Sequence, residues 1–379
     1  MFEKLKSILA TDTKAGLTIS GRHLIPKENL PAQKIPQLKH YTDSAQSYIK
    51  NNLAWAEGKI AKPKFKFAYL ELPIPCNLHC MGCFKGQDKK TFVKTKNNEV
   101  IGDQQLDEII DFLKDHSAEA IIFAGEGELF CWSGAFDYIK KITDAGLSMM
   151  IFTNGTLLSK KDIEYLNSKK ISLTFSLRDT IESGHNSAVK SQNAFRKTLQ
   201  ALDWALQIGM QKDNRLAVEI PATRDNTERI IYDFIPAMRF LGVIPLAEEY
   251  IQIMTSDEEK RLCHNFFEAR EFFKKATTVD AKLGFPHQLG FGQRMLAQPK
   301  CERPLYSFNI SVRTGEVANC PSGSVRHGNF FKNSLTQIIY SDLFKSELSK
   351  FTLCPCSTFF TNTDQEIPDL LPKHLINLR

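Results

Sequence analysis

Short apolar runs alternate with amphipathic stretches along the chain from about residue 67 onward. Short apolar runs predict buried strands, whereas apolar residues at helical spacing, such as Leu106, Ile109, Ile110 and Leu113, predict helices that pack on a sheet. The predicted strands lie at residues 67–72, 120–124, 147–153, 171–176, 216–220 and 243–253. The alternation of strands and helices predicts an α/β fold with a parallel sheet.

Six consecutive strand and helix units fit two architectures, an open doubly wound sheet and a partial barrel. Periodicity alone does not distinguish them. In both architectures the functional residues lie in the loops at the carboxyl ends of the strands. We therefore expect the chemistry of this chain to follow its strands directly.

The pattern changes on both sides of this core domain, which we place at residues 65–256. Residues 1–64 carry Pro31, Pro36 and one helical pattern at about 43–57, and predict an N-terminal extension packed on the core. A helix at 257–275 and a glycine-rich stretch at 284–292 predict a connecting segment, 257–294. Short strands and turns follow, with a strand at 308–312 and a helix at 334–340. They predict a small C-terminal domain, 295–379.

Composition and charge narrow the class of protein. The 379 residues are 42% hydrophobic, which is enough to bury a large core. The net charge is +6, but Lys and Arg are scattered among nearly as many Asp and Glu, which argues against a nucleic-acid partner. The N-terminal apolar patch contains charges and no long apolar run occurs, so we expect no signal peptide, no membrane span and a cytoplasmic protein.

Nine cysteines are distributed too unevenly for a secreted disulfide framework, and clustered thiols in a reducing compartment indicate metal binding or catalysis. Cys76, Cys80 and Cys83 follow the first predicted strand at C-x3-C-x2-C spacing. Three thiolates can hold a cubane 4Fe-4S cluster and leave its fourth iron open to a chelating ligand. A structural zinc site is the alternative, although it needs a fourth ligand and only His79 lies nearby.

This loop, with the aromatic Phe84 after its last cysteine, resembles the hallmark of the radical S-adenosylmethionine (radical SAM) superfamily, and the resemblance extends over about residues 67–255. It implies a partial (β/α)6 TIM-like barrel. It also implies that S-adenosylmethionine chelates the open iron and is cleaved reductively to a 5'-deoxyadenosyl radical, which abstracts hydrogen from a substrate. A flavodoxin or a ferredoxin would serve as the electron donor.

The loops after the next three strands resemble further motifs of the family. Gly125, Gly127 and Glu128 match its Gly-Gly-Glu-Pro segment, with Leu129 in place of the proline, and imply close backbone approach to the cofactor and a carboxylate for its methionine ammonium group. Asn154 lies in a Thr-Asn-Gly turn, and Ser176 ends the fourth strand, where the family places a serine at the cofactor ribose.

Three further residues have less definite roles. Lys190 stands where the family usually has an arginine near the cofactor carboxylate, and it keeps the charge but not the bidentate fork. Cys131 and Cys263 are candidate hydrogen donors to a substrate radical. The alternative for both is an ordinary buried thiol.

Four cysteines near the C-terminus predict a second metal site: Cys301, Cys320, Cys354 and Cys356. Four thiolates fully ligate a 4Fe-4S cluster, and a zinc site is again the alternative. The segment resembles the SPASM and twitch extensions of radical SAM enzymes, which bind auxiliary clusters. Four cysteines fit the shorter twitch arrangement with one auxiliary 4Fe-4S cluster.

The resemblance therefore predicts an oxidoreductase that oxidises or cross-links a peptide or protein. The first alternative is a radical SAM dehydrogenase or epimerase of a small aminosugar-like metabolite, because the 64 residues before the core are short for a peptide-recognition domain. The second, of another class, is a non-catalytic zinc or iron–sulfur protein. That reading leaves the Gly125 to Glu128 segment without a role.

Overall fold

The computed structural model describes residues 38–71, 76–81, 83, 101–125, 127–249, 261–283, 303–319 and 325–349. The six predicted strands of the core are β1 Phe67–Glu71, β2 Ala120–Ala124, β3 Ser148–Thr153, β4 Ser172–Ser176, β5 Leu216–Ala222 and β6 Ile244–Glu249. Three more strands follow, β7 Ser307–Ser311, β8 Glu316–Ala318 and β9 Arg326–Asn329.

The described α-helices are α1 Leu38–Ala56, α2 Asp103–Asp115, α3 Ala135–Asp144, α4 Lys160–Ser168, α5 Glu182–Val189, α6 Ala194–Ile208, α7 Thr227–Arg229, α8 Ile235–Leu241, α9 Phe266–Lys282, α10 Leu335–Ile339 and α11 Asp342–Ser349. Short 3-10 helices lie at Leu129–Cys131, Met210–Asp213 and Arg303–Leu305, and a π-helix at Ile230–Phe234 joins α7 to α8. Within the described ranges, no helix has the length and apolar character needed to cross a bilayer.

The nine strands form one sheet in the order β6-β5-β4-β3-β2-β1-β7-β8-β9. All pairs from β6 to β7 are parallel, and β8 and β9 are antiparallel additions at the β7 edge. Helices alternate with the six parallel strands, as in a partial (β/α)6 barrel. The predicted α/β fold class is thereby confirmed.

Side chains of β1 pack into two different cores because successive residues of a strand point to opposite faces. Ala68 and Leu70 belong to the large core, whereas Phe67 and Tyr69 pack in a second cluster with Tyr48 of α1. Helix α1, predicted at about 43–57, therefore covers the face of β1 and β2 that lies opposite the large core. Residues 257–260 of the predicted connecting helix lie outside the described residues, and Arg261 and Leu262 are helical. Helix α9 begins at Phe266, where Asn265 and Glu268 exchange capping hydrogen bonds of 2.8 and 2.9 Å.

The segments predicted as a C-terminal domain continue the same sheet. β7 pairs with β1 over five residues, from Phe67 opposite Ser307 to Glu71 opposite Ser311. The ring of Trp55 in α1 makes a T-shaped contact with the ring of Tyr340 and also contacts Phe344 of α11. The two ends of the described chain therefore pack together. The four domain bounds stay a prediction.

Candidate functional site

Four loops with functional motifs follow β1, β2, β3 and β4, which are adjacent and parallel in the sheet. Carboxyl ends of adjacent parallel strands lie at the same edge of a sheet. The cysteine loop, the Gly125 to Glu128 segment, the turn containing Asn154 and the loop after Ser176 are therefore neighbours, and hydrogen bonds join them.

The cysteine loop rests on α5. The backbone N–H groups of His79 and Met81 donate to the carbonyls of Val189 and Ala188, at 3.2 and 2.7 Å. Leu78 is buried beneath the loop against Val189 and Ala194, and Cys76 and Cys80 pack partly against this small cluster. A buried leucine between two cysteines thus anchors the loop, which fixes the direction of the flanking thiols.

The three thiols fit the donor set of a 4Fe-4S cluster. Cys76, Cys80 and Cys83 are free and half-buried. Burial and, to a smaller extent, the neighbouring thiol of Cys80 together raise the pKa of Cys76 to about 12. No described group of three Cys, His, Asp or Glu side chains converges on a single metal position. A cubane requires no such convergence, because each thiolate binds a different iron.

Glu128 joins the loop after β2 to the turn after β3. Its two carboxylate oxygens accept hydrogen bonds from the Thr153 hydroxyl and the Asn154 backbone N–H, both at 2.7 Å. The side chain is almost fully buried, and burial raises the pKa of Glu128 to about 7. Gly125 precedes it with φ +120°, and a Cβ there would lie 3.3 Å from the side chain of Glu71. The segment therefore approaches β1 closely, as a glycine permits.

Asn154 ties the Thr-Asn-Gly turn to the cysteine loop. Its side-chain amide donates to Asn77 Oδ1 at 3.0 Å and lies 3.8 Å from Cys76 Sγ. Its own Oδ1 accepts from the backbone N–H and the hydroxyl of Thr156, at 2.9 and 2.6 Å. Asn77 also donates to the Thr156 hydroxyl at 2.7 Å. The turn and the first cysteine are thus one hydrogen-bonded unit.

Ser176 contacts an acidic side chain on the neighbouring strand β5. Its hydroxyl donates to Glu219 of β5 at 3.1 Å. Burial raises the pKa of Glu219, while the Arg178 guanidinium lowers it and Glu248 of β6 raises it. Burial raises the pKa of the Cys80 thiol and the positive charge of Arg178 lowers it, so this charge also acts on the cysteine loop.

The remaining predicted site residues differ in how far their side chains are buried. Lys190 is exposed at the end of α5, with a left-handed backbone at φ 55°. Cys131 is half-buried with Sγ 3.8 Å from Asn77 Oδ1, so it lies beside the cysteine loop. Cys263 is buried next to Leu262, whose carbonyl accepts from the backbone of Arg224 in the loop after β5.

Cys301, Cys320, Cys354 and Cys356 lie outside the described residues, so the predicted auxiliary cluster site remains a prediction.

Sequence reasoning missed Asn77, Arg178, Glu219 and Glu248. Asn77 and Arg178 lie inside motifs in which other residues were predicted to be functional. Glu219 interrupts the apolar run of β5, and Ser176 and Glu219 are register partners on adjacent strands. A charged residue within a buried strand was the signal that could have revealed it.

Three comparisons with known proteins bear on this site. A model of a 4Fe-4S single cluster domain matches residues 74–193. The S-adenosylmethionine-dependent nucleotide dehydratase of Flammeovirga pacifica is 30% identical over 164 residues, 42% of this chain and 55% of that protein. The AdoMet-dependent heme synthase of Methanosarcina barkeri is 25% identical over 262 residues, 64% of this chain and 67% of that protein. The chain thus spans about half the length of the dehydratase.

The fold also matches solved structures. Streptococcus suis SuiB bound to the precursor peptide SuiA superposes with a TM-score of 0.58 at 13% identity, over 84% of this chain and 73% of SuiB. At this identity the likeness concerns the fold. With the three cysteines, Glu128 and Asn154 gathered at one edge of the sheet, these matches lead to one conclusion. The chain is similar to radical SAM enzymes, in its 4Fe-4S cluster domain at residues 74–193 and in its fold.

Proposed function

We propose that the chain is an enzyme that holds a 4Fe-4S cluster on Cys76, Cys80 and Cys83, binds S-adenosylmethionine beside it, and abstracts hydrogen from an organic substrate. One observation carries the proposal. Three free thiols lie at the carboxyl edge of a parallel sheet, and the first of them, Cys76, is linked through Asn154 to Glu128. This arrangement joins a cluster donor set to a buried carboxylate in a single site.

When bound, the cluster supplies the electron that splits the sulfonium compound reductively. The protein's own residues orient the cofactor and limit its contact with water. One oxygen of Glu128 accepts from Thr153 and Phe130 and the other accepts from Asn154 alone, which leaves acceptor capacity on the second oxygen for an ammonium group. We assign backbone approach to Gly125 and Gly127, the ribose hydroxyls to Ser176, and the cofactor carboxylate to Lys190.

We propose a peptide or protein as the substrate, which the enzyme oxidises or cross-links. The likeness of the fold to SuiB, whose structure holds a precursor peptide, supports this choice. The auxiliary 4Fe-4S cluster proposed at Cys301, Cys320, Cys354 and Cys356 would accept the electron that the substrate radical gives up as it becomes the oxidised product. A flavodoxin or a ferredoxin would reduce the first cluster.

A small-molecule substrate is the second candidate. The relative at 30% identity is named a nucleotide dehydratase, and the match covers 42% of this chain. An aminosugar-like metabolite belongs to the same class of substrate. Incubation of the reconstituted enzyme with candidate peptides and with nucleotides, followed by mass spectrometry, separates the two candidates.

The test of the core proposal is anaerobic reconstitution of the full chain, followed by iron and sulfide counting and an assay for dithionite-dependent 5'-deoxyadenosine. We expect the wild-type protein to form this product and Cys80→Ala to lose it, because one corner of the cluster then lacks its ligand. Ser168→Ala, an exposed change at the end of α4, is the matched control and should retain the product.

Two results would contradict the proposal. Product formation by Cys80→Ala at the wild-type rate would show that this thiol is not a ligand of the reacting cluster. A wild-type protein that binds only zinc, or that holds iron and sulfide without cleaving S-adenosylmethionine, would instead favour a non-catalytic metalloprotein.

A further inference from the structure

An ion pair joins the loop after β4 to the helix after β5. The guanidinium of Arg229 in α7 donates to both carboxylate oxygens of Asp179, from Nε at 3.0 Å and from Nη2 at 2.6 Å. Asp179 is buried, and the Arg229 side chain is 30% exposed. Two parallel hydrogen bonds fix the relative orientation of the two groups, and partial burial limits their screening by salt. The pair is therefore a firm connection between two loops at the carboxyl edge of the sheet.

The first turn of α5 lies directly against the carboxylate of Asp179. Oδ1 of Asp179 accepts from the backbone N–H of Thr180 at 2.6 Å, just before the helix begins. A Cβ at Gly184 would lie 2.7 Å from Cγ of Asp179, so the helix approaches the carboxylate as closely as a glycine permits. One residue later, Nδ1 of the buried His185 accepts from the N–H of Arg178 at 3.1 Å. The first half of α5 is thus held by the residues that leave β4.

The other end of α5 supports the cysteine loop. The carbonyls of Ala188 and Val189, in its last turn, accept from the backbone N–H groups of Met81 and His79. The helix has eight residues, which corresponds to a length of about 12 Å. Because a helix this short moves as one rigid element, a displacement of its first turn is passed on to its last turn and to the loop.

We propose that Asp179 and Arg229 are positioning residues: their ion pair holds α5 in place, and through α5 it holds the backbone of the cysteine loop in the conformation that binds the cluster. The inference rests on the proposed function, because the cluster is what the loop is positioned for. Both residues act through the helix, and neither is assigned a contact with the cofactor.

The first experiment is hydrogen–deuterium exchange of the metal-free full chain, followed by mass spectrometry. Peptides that contain His79 and Met81 are compared with peptides from β7. We expect Asp179→Asn and Arg229→Gln each to accelerate exchange in the cysteine loop on the order of tenfold, because hydrogen bonds to charged groups contribute free energies of this size to a local opening. Exchange in β7 should stay at the wild-type rate. General loosening of the fold would accelerate both regions.

Two further variants sharpen this experiment. If the two residues act as one pair, the double variant D179N/R229Q should match the larger single effect, whereas a product of the two effects would mean that they act independently and would overturn the inference. Arg239→Gln is the control, because Arg239 bonds both oxygens of Asp280 at 2.7 Å in a pair that joins α8 to α9. It should leave exchange in the cysteine loop at the wild-type rate, even where exchange in the core strands rises.

The second experiment measures iron loss to a chelator from the anaerobically reconstituted full chain. The triple variant C76A/C80A/C83A gives the background from the proposed auxiliary site. We expect faster iron loss from Asp179→Asn and Arg229→Gln than from the wild type, and a wild-type rate from Arg239→Gln. Should Asp179→Asn fail to fold, Arg229→Gln decides alone, since its side chain is partly exposed.

Three results would overturn the inference: unchanged exchange in the cysteine loop of both single variants, an equal rise in β7, or iron loss at the wild-type rate. Its failure is distinct from that of the proposed function. A wild-type protein that forms 5'-deoxyadenosine while either experiment fails contradicts this inference alone. A wild-type protein that takes up no iron–sulfur cluster contradicts the proposed function, and exchange in the metal-free chain then decides whether the ion pair holds the loop.

Discussion

Glu128 is a buried acid whose protonation depends on folding, and this gives it a measurable effect on stability. Burial raises the pKa of Glu128 from 4.5 to about 7 in the folded protein. Between these values the folded state keeps a proton that the unfolded state has released. The stabilisation from Glu128 is therefore fully present below about pH 4.5 and is lost as the pH rises through about 7.

We predict that Glu128→Gln removes this pH-dependent contribution to the stability of the cluster-free protein, since the amide does not titrate. The free energy of unfolding of the wild type, relative to that of the variant, should fall by on the order of 3 kcal/mol between about pH 4.5 and about pH 8. Urea denaturation of both proteins across this range measures it. A difference that stays constant with pH would show that Glu128 is not buried as an acid.

Individual residues of the site were predictable where a motif names them. The strands could be predicted from the apolar pattern. The loops that follow them contain the motif residues Cys76, Cys80, Cys83, Glu128 and Asn154. Asn77, Arg178 and Glu219 were not predictable in the same way, because their roles come from contacts between strands and loops far apart in the sequence. Asn77, for example, meets Thr156 and Asn154 across the gap between two motif loops.

At the scale of elements, the turn after β3 depends on one glycine. Gly155 has φ +72°, and a Cβ there would lie 2.7 Å from the ring of Phe175, which is fully buried. A side chain at this position is therefore strained both by its backbone conformation and by a neighbour that cannot move away. The position of Asn154, one residue earlier, depends on this turn.

We predict that Gly155→Ala lowers the free energy of unfolding by about 2 to 5 kcal/mol, the sum of the backbone strain and the overpacking. Gly146→Ala is the matched control, because Gly146 has φ +88° but an added Cβ meets no atom within 4 Å. The free energy of unfolding of the control should fall only by the backbone strain, about 1 to 2 kcal/mol. Urea denaturation compares the two variants. Equal losses would mean that the contact with Phe175 does not constrain the turn.

The core strands were predicted closely, whereas several helices were not. Strand bounds follow from short apolar runs, so β2 was predicted at its observed residues and β1, β3 and β4 within one residue. The break between the helical residue Leu262 and the start of α9 at Phe266 was not predicted, because the cap formed by Asn265 and Glu268 leaves little trace in the apolar pattern. The π-helix at Ile230–Phe234 has the same apolar spacing as an α-helix and could not be predicted from it.

At the scale of the whole molecule, the last third of the chain completes the sheet that carries the cysteine loop. β7 pairs with β1 over five residues, and Phe308, Ile310 and Val317 are fully buried in the large core. The apolar pattern predicted a strand at 308–312 but could not predict its partner, because pairing between distant strands depends on tertiary packing.

We predict that a chain ending at residue 302 lacks fixed tertiary structure, because β1 loses a neighbour and the large core loses the apolar side chains of β7 and β8. Near-ultraviolet circular dichroism and binding of a hydrophobic dye should report this loss, with the full chain as the control. A truncated chain that still unfolds in one cooperative transition would contradict the prediction and would support a C-terminal domain separable from the core.

The pairing of β1 with β7 also bears on the order of events during synthesis. β1 leads directly into the loop with the first three cysteines, yet one of its two neighbours emerges from the ribosome only after Ser307 has been made. On a nascent chain that stops short of this point, the thiols extend from a strand supported on one side only. If the loop holds the proposed cluster, we expect metal insertion after translation rather than during it.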